Sequence, residues 1–253
     1  MITSSWRSQD AGWVFSQLHL PRPLDADQVE AMLLRLAADR AAPPLVFEAR
    51  AGHGQLVRHL VGTPAEHVVW VQRTLRHLLP GLDIDGITEP RPAVQRSVRL
   101  RLRPRPLALA TERAEVTALS LLSALDAQLD DGEELVLQIM LGPRIAPRHL
   151  PKSLPDPAQP WWQLLTSGQI DAARPVREQI GTRTGQHGFT ATIRIGVTAR
   201  TSQRRQQLVI GVLGALSTAG DRGTYMDLTF EPAARLNEPR LPWRWPLRLG
   251  PAS

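Results

Sequence analysis

The side chains best placed to do chemistry in this sequence are three arginines spaced two residues apart. Arg99, Arg101 and Arg103 alternate with apolar residues over positions 98–102. Successive side chains of a β-strand point to opposite faces, so the three guanidinium groups would share one face of a sheet. Together with Arg194, they would place four positive charges on that face. Such a face could bind a phosphate backbone, and each neutralised phosphate would make the binding more sensitive to salt. The spacing therefore predicts a basic, nucleic-acid-binding sheet face.

Arg194 is the fourth member of this predicted face. It lies in an alternating segment, Phe189–Val197, which a ferredoxin-like strand order of 4-1-3-2 would place beside the strand that carries the other three. A solvated face or an interdomain contact would use the same residues. Arginine is also the default polar residue here, because only one of the 30 basic residues is a lysine. Both interpretations of the face therefore stay open.

No constellation of residues indicates catalysis, a metal or a cofactor. A phosphate-binding loop needs a glycine-rich turn that ends in Lys-Ser/Thr, whereas the only lysine, Lys152, has no glycine before it. The seven histidines lack metal-binding spacing, and the absence of cysteine excludes disulfides and thiolate metal sites. We therefore expect a non-enzyme that needs neither cofactor nor metal.

A paired tryptophan is the second candidate contact. Trp161 and Trp162 lie in a proline-rich stretch, where they could bind a partner protein or anchor the stretch on the body of this chain. We treat them as candidate partner-binding residues.

Charge and hydropathy favour a globular protein with an anionic partner for its second part. The chain has 253 residues, of which 42% are hydrophobic and 21% charged. No apolar run approaches the ~18 residues of a membrane helix, and the start has no signal-peptide core, so we expect a cytoplasmic location. Residues 1–90 hold eight arginines against ten acids, whereas residues 91–253 hold 22 basic against 14 acidic side chains.

The pattern of residues predicts the order β-α-β-β-α-β for the first part of the chain. Asp25–Arg40 has a helical apolar stripe, and a hairpin surrounds Gly52 and Gly54. Thr63–Glu66 matches a capping box with proline at the first helical position, which predicts the start of a second helix there.

The second part repeats that order. Glu112–Leu129 predicts a helix that is apolar over most of its surface and hence well buried. A later helix is expected to be capped by Thr201 or Ser202, and alternating residues over 225–230 predict the closing strand.

The repeated order predicts an α+β protein made of two tandem ferredoxin-like sandwiches. The first unit would span residues 1–90. The second would span residues 91–235 and contain a long proline-rich insertion, residues 143–187. Residues 236–253 would form a Pro/Trp-rich C-terminal tail. One irregular α+β domain is the alternative.

Six segments together carry a family resemblance. They are Leu20–Leu24, Leu45–Arg50, Leu79–Gly81, Gly132–Leu141, Gly188–Gly196 and Arg244–Leu247. With them the chain resembles the region that precedes the motor in actinobacterial-type conjugative DNA-transfer proteins, which are type IV secretion ATPases of the HerA–FtsK class. The motor, with its Walker motifs, and the family's membrane helices have no counterpart in this sequence.

The resemblance implies a non-catalytic accessory module that helps a DNA-translocating machine to assemble. Its expected partners are further copies of itself, an ATPase motor in the same or a separate chain, and DNA. The motor partner would hold it at the inner face of the cell membrane. The alternative is a free-standing nucleic-acid-binding protein that uses the basic sheet face.

Overall fold

The structure is a computed structural model of the chain, and it describes most of residues 12–240. The described residues are 12–88, 91–103, 113–126, 128–149, 154–156, 159, 163, 165–166, 168, 170–220 and 225–240.

Strands and helices alternate along the described residues. The strands are β1 (Trp13–His19), β2 (Leu45–Gly52), β3 (Arg58–Pro64), β4 (Asp83–Thr88), β5 (Arg96–Arg103), β6 (Glu134–Ile145), β7 (Gly188–Thr198) and β8 (Tyr225–Glu231). The helices are α1 (Ala26–Ala38), α2 (Val68–Leu78), α3 (Ala114–Leu125), α4 (Arg174–Thr184), α5 (Ser202–Ser217) and α6 (Ala234–Asn237). The predicted α+β class is confirmed.

All eight strands form one antiparallel sheet in the order β4-β1-β3-β2-β6-β7-β5-β8. The first four strands of the chain occupy one half and the last four occupy the other. The halves meet where β2 pairs with β6, from Leu45 opposite Leu141 to Gly52 opposite Glu134. We call this β2–β6 pairing the seam. Each half has its own first strand between its fourth and third, which is the expected order 4-1-3-2.

Two apolar cores lie between the helices and one face of the sheet. The first core is built on α1, α2 and the strands of the first half, and it also contains Leu141 of β6. The second core is built on α3, α5 and the strands of the second half, and it also contains Ala51 of β2. Because each core includes a residue from across the seam, the two halves share their buried apolar surface.

Short polar side chains set where two helices begin. The Asp25 carboxylate accepts a hydrogen bond from the backbone N–H of Asp27 (2.9 Å), and the Thr201 hydroxyl accepts one from Arg204 (3.1 Å). The predicted cap at Thr63 is wrong. Thr63 lies within β3, its hydroxyl donates to the Pro44 carbonyl (3.2 Å), and a 3-10 turn over Ala65–His67 precedes α2. Strand pairing fixes the Thr63 backbone and so removes it from the helix end.

The expectation that the third helix is well buried is also wrong. Only Leu125 of α3 is buried, whereas Val116, Leu119 and Leu122 are 58%, 69% and 40% exposed. The helix is apolar on its outward side as well as on the side that packs on the second core.

The strand register repeats between the two halves. Val46 stands opposite Gly62 on the β2–β3 pair, and Val136 stands opposite Gly196 on the β6–β7 pair. Each glycine lies beneath a bulky side chain. A Cβ atom on Gly62 would lie 2.5 Å from the Phe15 ring, and one on Gly196 would lie 2.8 Å from Leu236. These close approaches require a residue without a side chain at both positions.

We predict that Gly196→Ala destabilises the protein by about 1–3 kcal/mol, as overpacking of a filled core does. Leu236 is fully buried and cannot turn out into solvent, and Val94 closes the other side of the glycine. Urea unfolding followed by circular dichroism measures the change in the free energy of unfolding. Gly86→Ala on the edge strand β4, where nothing lies within 4 Å of the added carbon, is the control and should change it by less than about 0.5 kcal/mol. Equal effects of the two substitutions would contradict this packing account.

Candidate functional site

A row of polar residues crosses the sheet on the face turned away from the two apolar cores. Glu48 of β2 stands opposite Gln138 of β6, Gln138 opposite Arg194 of β7, and Arg194 opposite Arg99 of β5. The row therefore runs through four adjacent strands and crosses the seam. We call these four residues the polar row.

Side-chain hydrogen bonds link the first three members of the polar row. The Gln138 amide nitrogen donates to Glu48 Oε1 (2.8 Å), and Arg194 Nη1 donates to Gln138 Oε1 (3.0 Å). All three side chains are buried. The glutamine amide thus donates to the carboxylate on one side and accepts from the guanidinium on the other.

Each charge in the polar row has a partner of opposite sign. The Glu48 carboxylate accepts from Arg50 Nε (2.7 Å) and lies 3.5 Å from Arg91 Nε. Arg194 donates through Nε and Nη2 to Glu231 Oε1, both at 3.2 Å. Glu231 also lies 3.8 Å from Arg99. Each charge of the row thus has an oppositely charged neighbour, although Arg99 Nε and Arg50 Nη1 are buried without a hydrogen-bond partner.

Two segments of the chain cover the polar row. Residues 91–95 and 232–240 cross the sheet here, and we call them the cover. Leu236 in α6 is fully buried, with Val94 and Val136 beside it. Its carbonyl accepts from Gln138 (3.0 Å), and the Arg240 carbonyl accepts from Arg194 Nη2 (2.6 Å). The cover therefore satisfies polar groups that the strands leave unpaired.

The Asn237 side chain holds the two parts of the cover together. Its Oδ1 accepts from the backbone N–H of Val94 (2.9 Å), and its Nδ2 donates to the Val94 carbonyl (3.2 Å). The same Oδ1 accepts from Arg91 Nη1 (2.9 Å). One asparagine thus ties the linker between the halves to the end of the described chain.

Burial lowers the pKa of the Arg194 guanidinium, and the adjacent Glu231 raises it again. Arg50 is in the same situation, with burial lowering its pKa and Glu48 opposing the change. A guanidinium stays protonated in proteins even so. Both arginines therefore carry a full positive charge inside the protein.

The structure separates the four arginines of the predicted nucleic-acid-binding face. The predicted alternation is confirmed, because Val98 and Leu100 pack on the second core while Arg99 and Arg101 lie on the other face. The expectation that Arg194 shares an open face is wrong. Arg194 is the direct neighbour of Arg99, but the cover and Glu231 enclose it completely.

Arg99 and Arg101 keep part of their surface in solvent. The Arg99 side chain is 20% exposed and lies beside Glu231, and Arg101 is half-buried. For Arg103 the structure describes the backbone, opposite Tyr225, and not the side chain. Trp161 and Trp162 lie outside the described residues, so their partner-binding role stays a prediction.

Exposed apolar side chains that were not predicted from the sequence lie on α3 and α5. Val116 and Leu119 of α3 are 58% and 69% exposed, and Ile210 of α5 is 53% exposed. A shallow groove separates the two helices. It is lined by Ser120, Ser123, Ala124, Ile210, Gly211, Gly214, Ala215 and Thr218. The sequence signal was a helix apolar over most of its surface, which suits an interface as well as a core.

The described residues contain no group of three or more histidine or acidic side chains that could hold a metal ion. Of the histidines in the predicted hairpin, His53 Nδ1 lies 2.6 Å from the Leu129 carbonyl, and burial lowers the pKa of His59. Within the described part of the chain, no helix has the length and apolar character needed to cross a membrane.

Comparisons with known proteins give no family. No protein-family model and no curated protein matches the chain. Among solved structures, it is similar to an unknown protein from Galdieria sulphuraria at 15% identity, with a TM-score of 0.22, over 87% of this chain and 98% of that chain. It is also similar to an anthrone oxidase-like protein at 8% identity, with a TM-score of 0.23, over 87% and 90% of the two chains. TM-scores this low carry no argument about fold or function.

We predict that Glu231→Gln destabilises the protein by about 3–5 kcal/mol, because it leaves the Arg194 charge buried without a carboxylate. The matched control is Glu238→Gln, which breaks an ion pair with Arg240 that is exposed on both sides. That change should cost less than about 1 kcal/mol. Chemical unfolding at neutral pH measures both, and a similar small cost for the two variants would contradict the role given to Glu231.

Proposed function

We propose that this chain is a non-catalytic assembly module that binds a second copy of itself through α3 and α5. The observation that carries the proposal is the exposed apolar surface formed by Val116, Leu119, Leu122 and Ile210. Exposed apolar side chains grouped on one part of a surface mark protein–protein contacts.

The absence of charge favours a protein partner for this surface. Neither residues 116–125 of α3 nor residues 206–218 in and after α5 include a charged side chain, although 21% of the chain is charged. Interface cores between proteins are depleted in charge. A nucleic-acid surface needs the opposite, because neutralised phosphates supply most of its affinity.

The shape of the surface favours a second copy as that partner. Val116 and Leu119 are exposed on α3, and the groove between α3 and α5 is lined by small residues such as Gly211 and Gly214. A two-fold contact requires one patch to be complementary to itself. The exposed side chains of each copy would enter the groove of the other, and both features lie on the same two helices.

The alternative, a free-standing nucleic-acid-binding protein, has less support. It relied on four arginines on one open face. Arg194 is enclosed, and Arg99 lies beside the carboxylate of Glu231. Among Arg99, Arg101 and Arg194, the members of the predicted face whose side chains are described, this leaves Arg101 to bind phosphate, which is too little charge for a backbone-binding surface.

We further propose that the two halves of the sheet are tandem ferredoxin-like units. Strand order 4-1-3-2 in each half and the matching Val–Gly pairs support this. The outer edge strands agree as well. Ile87 and Phe230 occupy corresponding register positions, opposite Ser16 and Val98, and both are exposed.

The machine that we propose for this module is a conjugative or type IV secretion DNA translocator. Its support is the sequence resemblance. Two of the resembling segments, Leu45–Arg50 and Gly188–Gly196, form most of β2 and β7. The proposal includes an ATPase motor as a partner, a cytoplasmic location at the inner face of the membrane through that motor, and DNA as the cargo of the machine.

We expect the purified chain to self-associate and Leu119→Arg to abolish the association. A charge at the centre of the apolar contact would be desolvated without a partner. Sedimentation velocity across a concentration series measures the mass of the wild-type and variant proteins. Circular dichroism should show both to be folded, since Leu119 is 69% exposed.

Leu56→Arg is the matched control, because Leu56 is an exposed leucine (86%) in the hairpin of the first half. It should leave the association unchanged. A wild-type chain that stays monomeric at high micromolar concentration, or a Leu119→Arg variant that still associates, would overturn the proposed contact.

The assignment to a DNA translocator has its own test. Deleting the gene from a donor cell that carries the conjugative element should reduce DNA transfer, and the wild-type gene should restore it. The Leu119→Arg allele should restore it poorly, whereas the Leu56→Arg allele should restore it fully. Undiminished transfer from the deleted donor would contradict the assignment and leave the self-association test unaffected.

A further inference from the structure

The two helices of the first half, α1 and α2, form a cleft that is lined by charged as well as apolar residues. A cavity of about 280 Å³ lies between α1 and α2. Its apolar wall consists of Leu36, Trp70 and Leu78, and its polar lining consists of Arg35, Asp39, Arg73, Thr74 and His77. We propose that this cleft binds a small organic anion that carries a flat ring.

Basic side chains outnumber the one acid, Asp39, in the lining of the cleft. No hydrogen bond or ion pair joins the Arg35 or Arg73 guanidinium to another described side chain. The one acid in the lining, Asp39, uses its Oδ1 to accept from the backbone N–H of Ala41 (2.8 Å). The Asp39 carboxylate offsets one of the two guanidinium charges, so an anion in the cavity would balance the other.

The flat wall of the cleft comes from Trp70. Its side chain is partly buried against the first apolar core and also lines the cavity. An indole in that position offers an apolar surface on which a planar ring can stack. Thr74, one turn further along α2, adds a hydroxyl that can donate to an anion or accept from a ring substituent.

The corresponding cleft of the second half lacks the charged lining, so two paired helices on this sheet do not require one. The groove between α3 and α5 is also a cleft between paired helices, but its lining is free of charged residues. Acids outnumber arginines in residues 1–90, so a cationic cleft there also runs against the balance of its own half.

The helix dipole accounts for only part of the cluster. Arg35 lies in the last turn of α1 and His77 in the last turn of α2, where cations stabilise a helix. Arg73 lies in the middle of α2, where the dipole has little effect. The helix dipole therefore does not account for Arg73, which supplies the second guanidinium group of the cleft.

The size of the cavity limits the ligand. Its volume lies at the lower end of ligand pockets, which span about 300–1,000 Å³. The anionic group is a phosphate or a carboxylate, since guanidinium groups bind both. A nucleoside monophosphate and an aromatic carboxylate are the two sources of this chemistry that fit.

The experiment labels the tryptophans with fluorine and follows the 19F NMR signal of Trp70, which Trp70→Phe identifies by its loss. The probes are adenosine monophosphate, benzoate, adenosine and inorganic phosphate. We expect a saturable shift with at least one of the two ring-bearing anions, and the one that binds more tightly distinguishes phosphate from carboxylate. Adenosine and inorganic phosphate should shift the signal weakly or not at all. No saturable shift with either ring-bearing anion, or equal binding of adenosine or inorganic phosphate, would overturn the proposal.

Charge-removing variants locate the site. Arg35→Gln and Arg73→Gln should each weaken binding by about tenfold or more, because each removes a charge-assisted hydrogen bond. Both residues are exposed, so the variants should fold. Arg96→Gln, at an exposed arginine of the second half, is the control and should bind as the wild type does. Unchanged affinity in both cleft variants would overturn the assignment. The test is independent of self-association, which involves the other helix pair.

Discussion

A buried positive charge determines much of this structure. The Arg194 guanidinium lies fully enclosed in the middle of the sheet, where an unpaired charge would cost many kcal/mol. Its partners come from distant parts of the chain: Gln138 from β6, Glu231 from the end of β8, and the carbonyl of Arg240 beyond α6. The edge strand and the cover must therefore be in place before this charge is satisfied.

The same constraint joins the two halves of the sheet. The Gln138 side chain also donates to Glu48 in the first half, and Arg91 in the linker forms an ion pair with the same carboxylate. A network of this kind is weak evidence for extra stability, because desolvation offsets most of its Coulomb energy. Its clearer effect is on register. A shift of one residue in β2 along the seam would turn Glu48 to the apolar cores and break its hydrogen bond with Gln138.

The sequence predicted what depends on local pattern. Alternating residues located strands such as β7 and β8 and placed Arg99 and Arg101 on the face away from Val98. Thr201 was one of the two caps expected for α5 from residue type alone. Arg194 could not be read in this way, because an arginine at an alternate strand position looks the same whether solvent or a cover lies above it. Its burial depends on Glu231 and Arg240, far along the chain. The apolar α3 raised the related difficulty that a helix apolar on all sides suits a core and an interface equally.

With the second face of the sheet occupied by its own ion pairs and cover, the surfaces left for recognition lie mainly on the helix layer. There the two halves differ in the residues between their paired helices. Glycine, serine and alanine line the groove between α3 and α5, whereas Trp70 and two arginines line the cleft between α1 and α2. The strands, which must fit the polar row and the two cores, keep a common order and register. The outward helix positions are free of that constraint, so their residues can differ between the halves without disturbing the sheet. Functional differences between the halves are therefore expected at those positions.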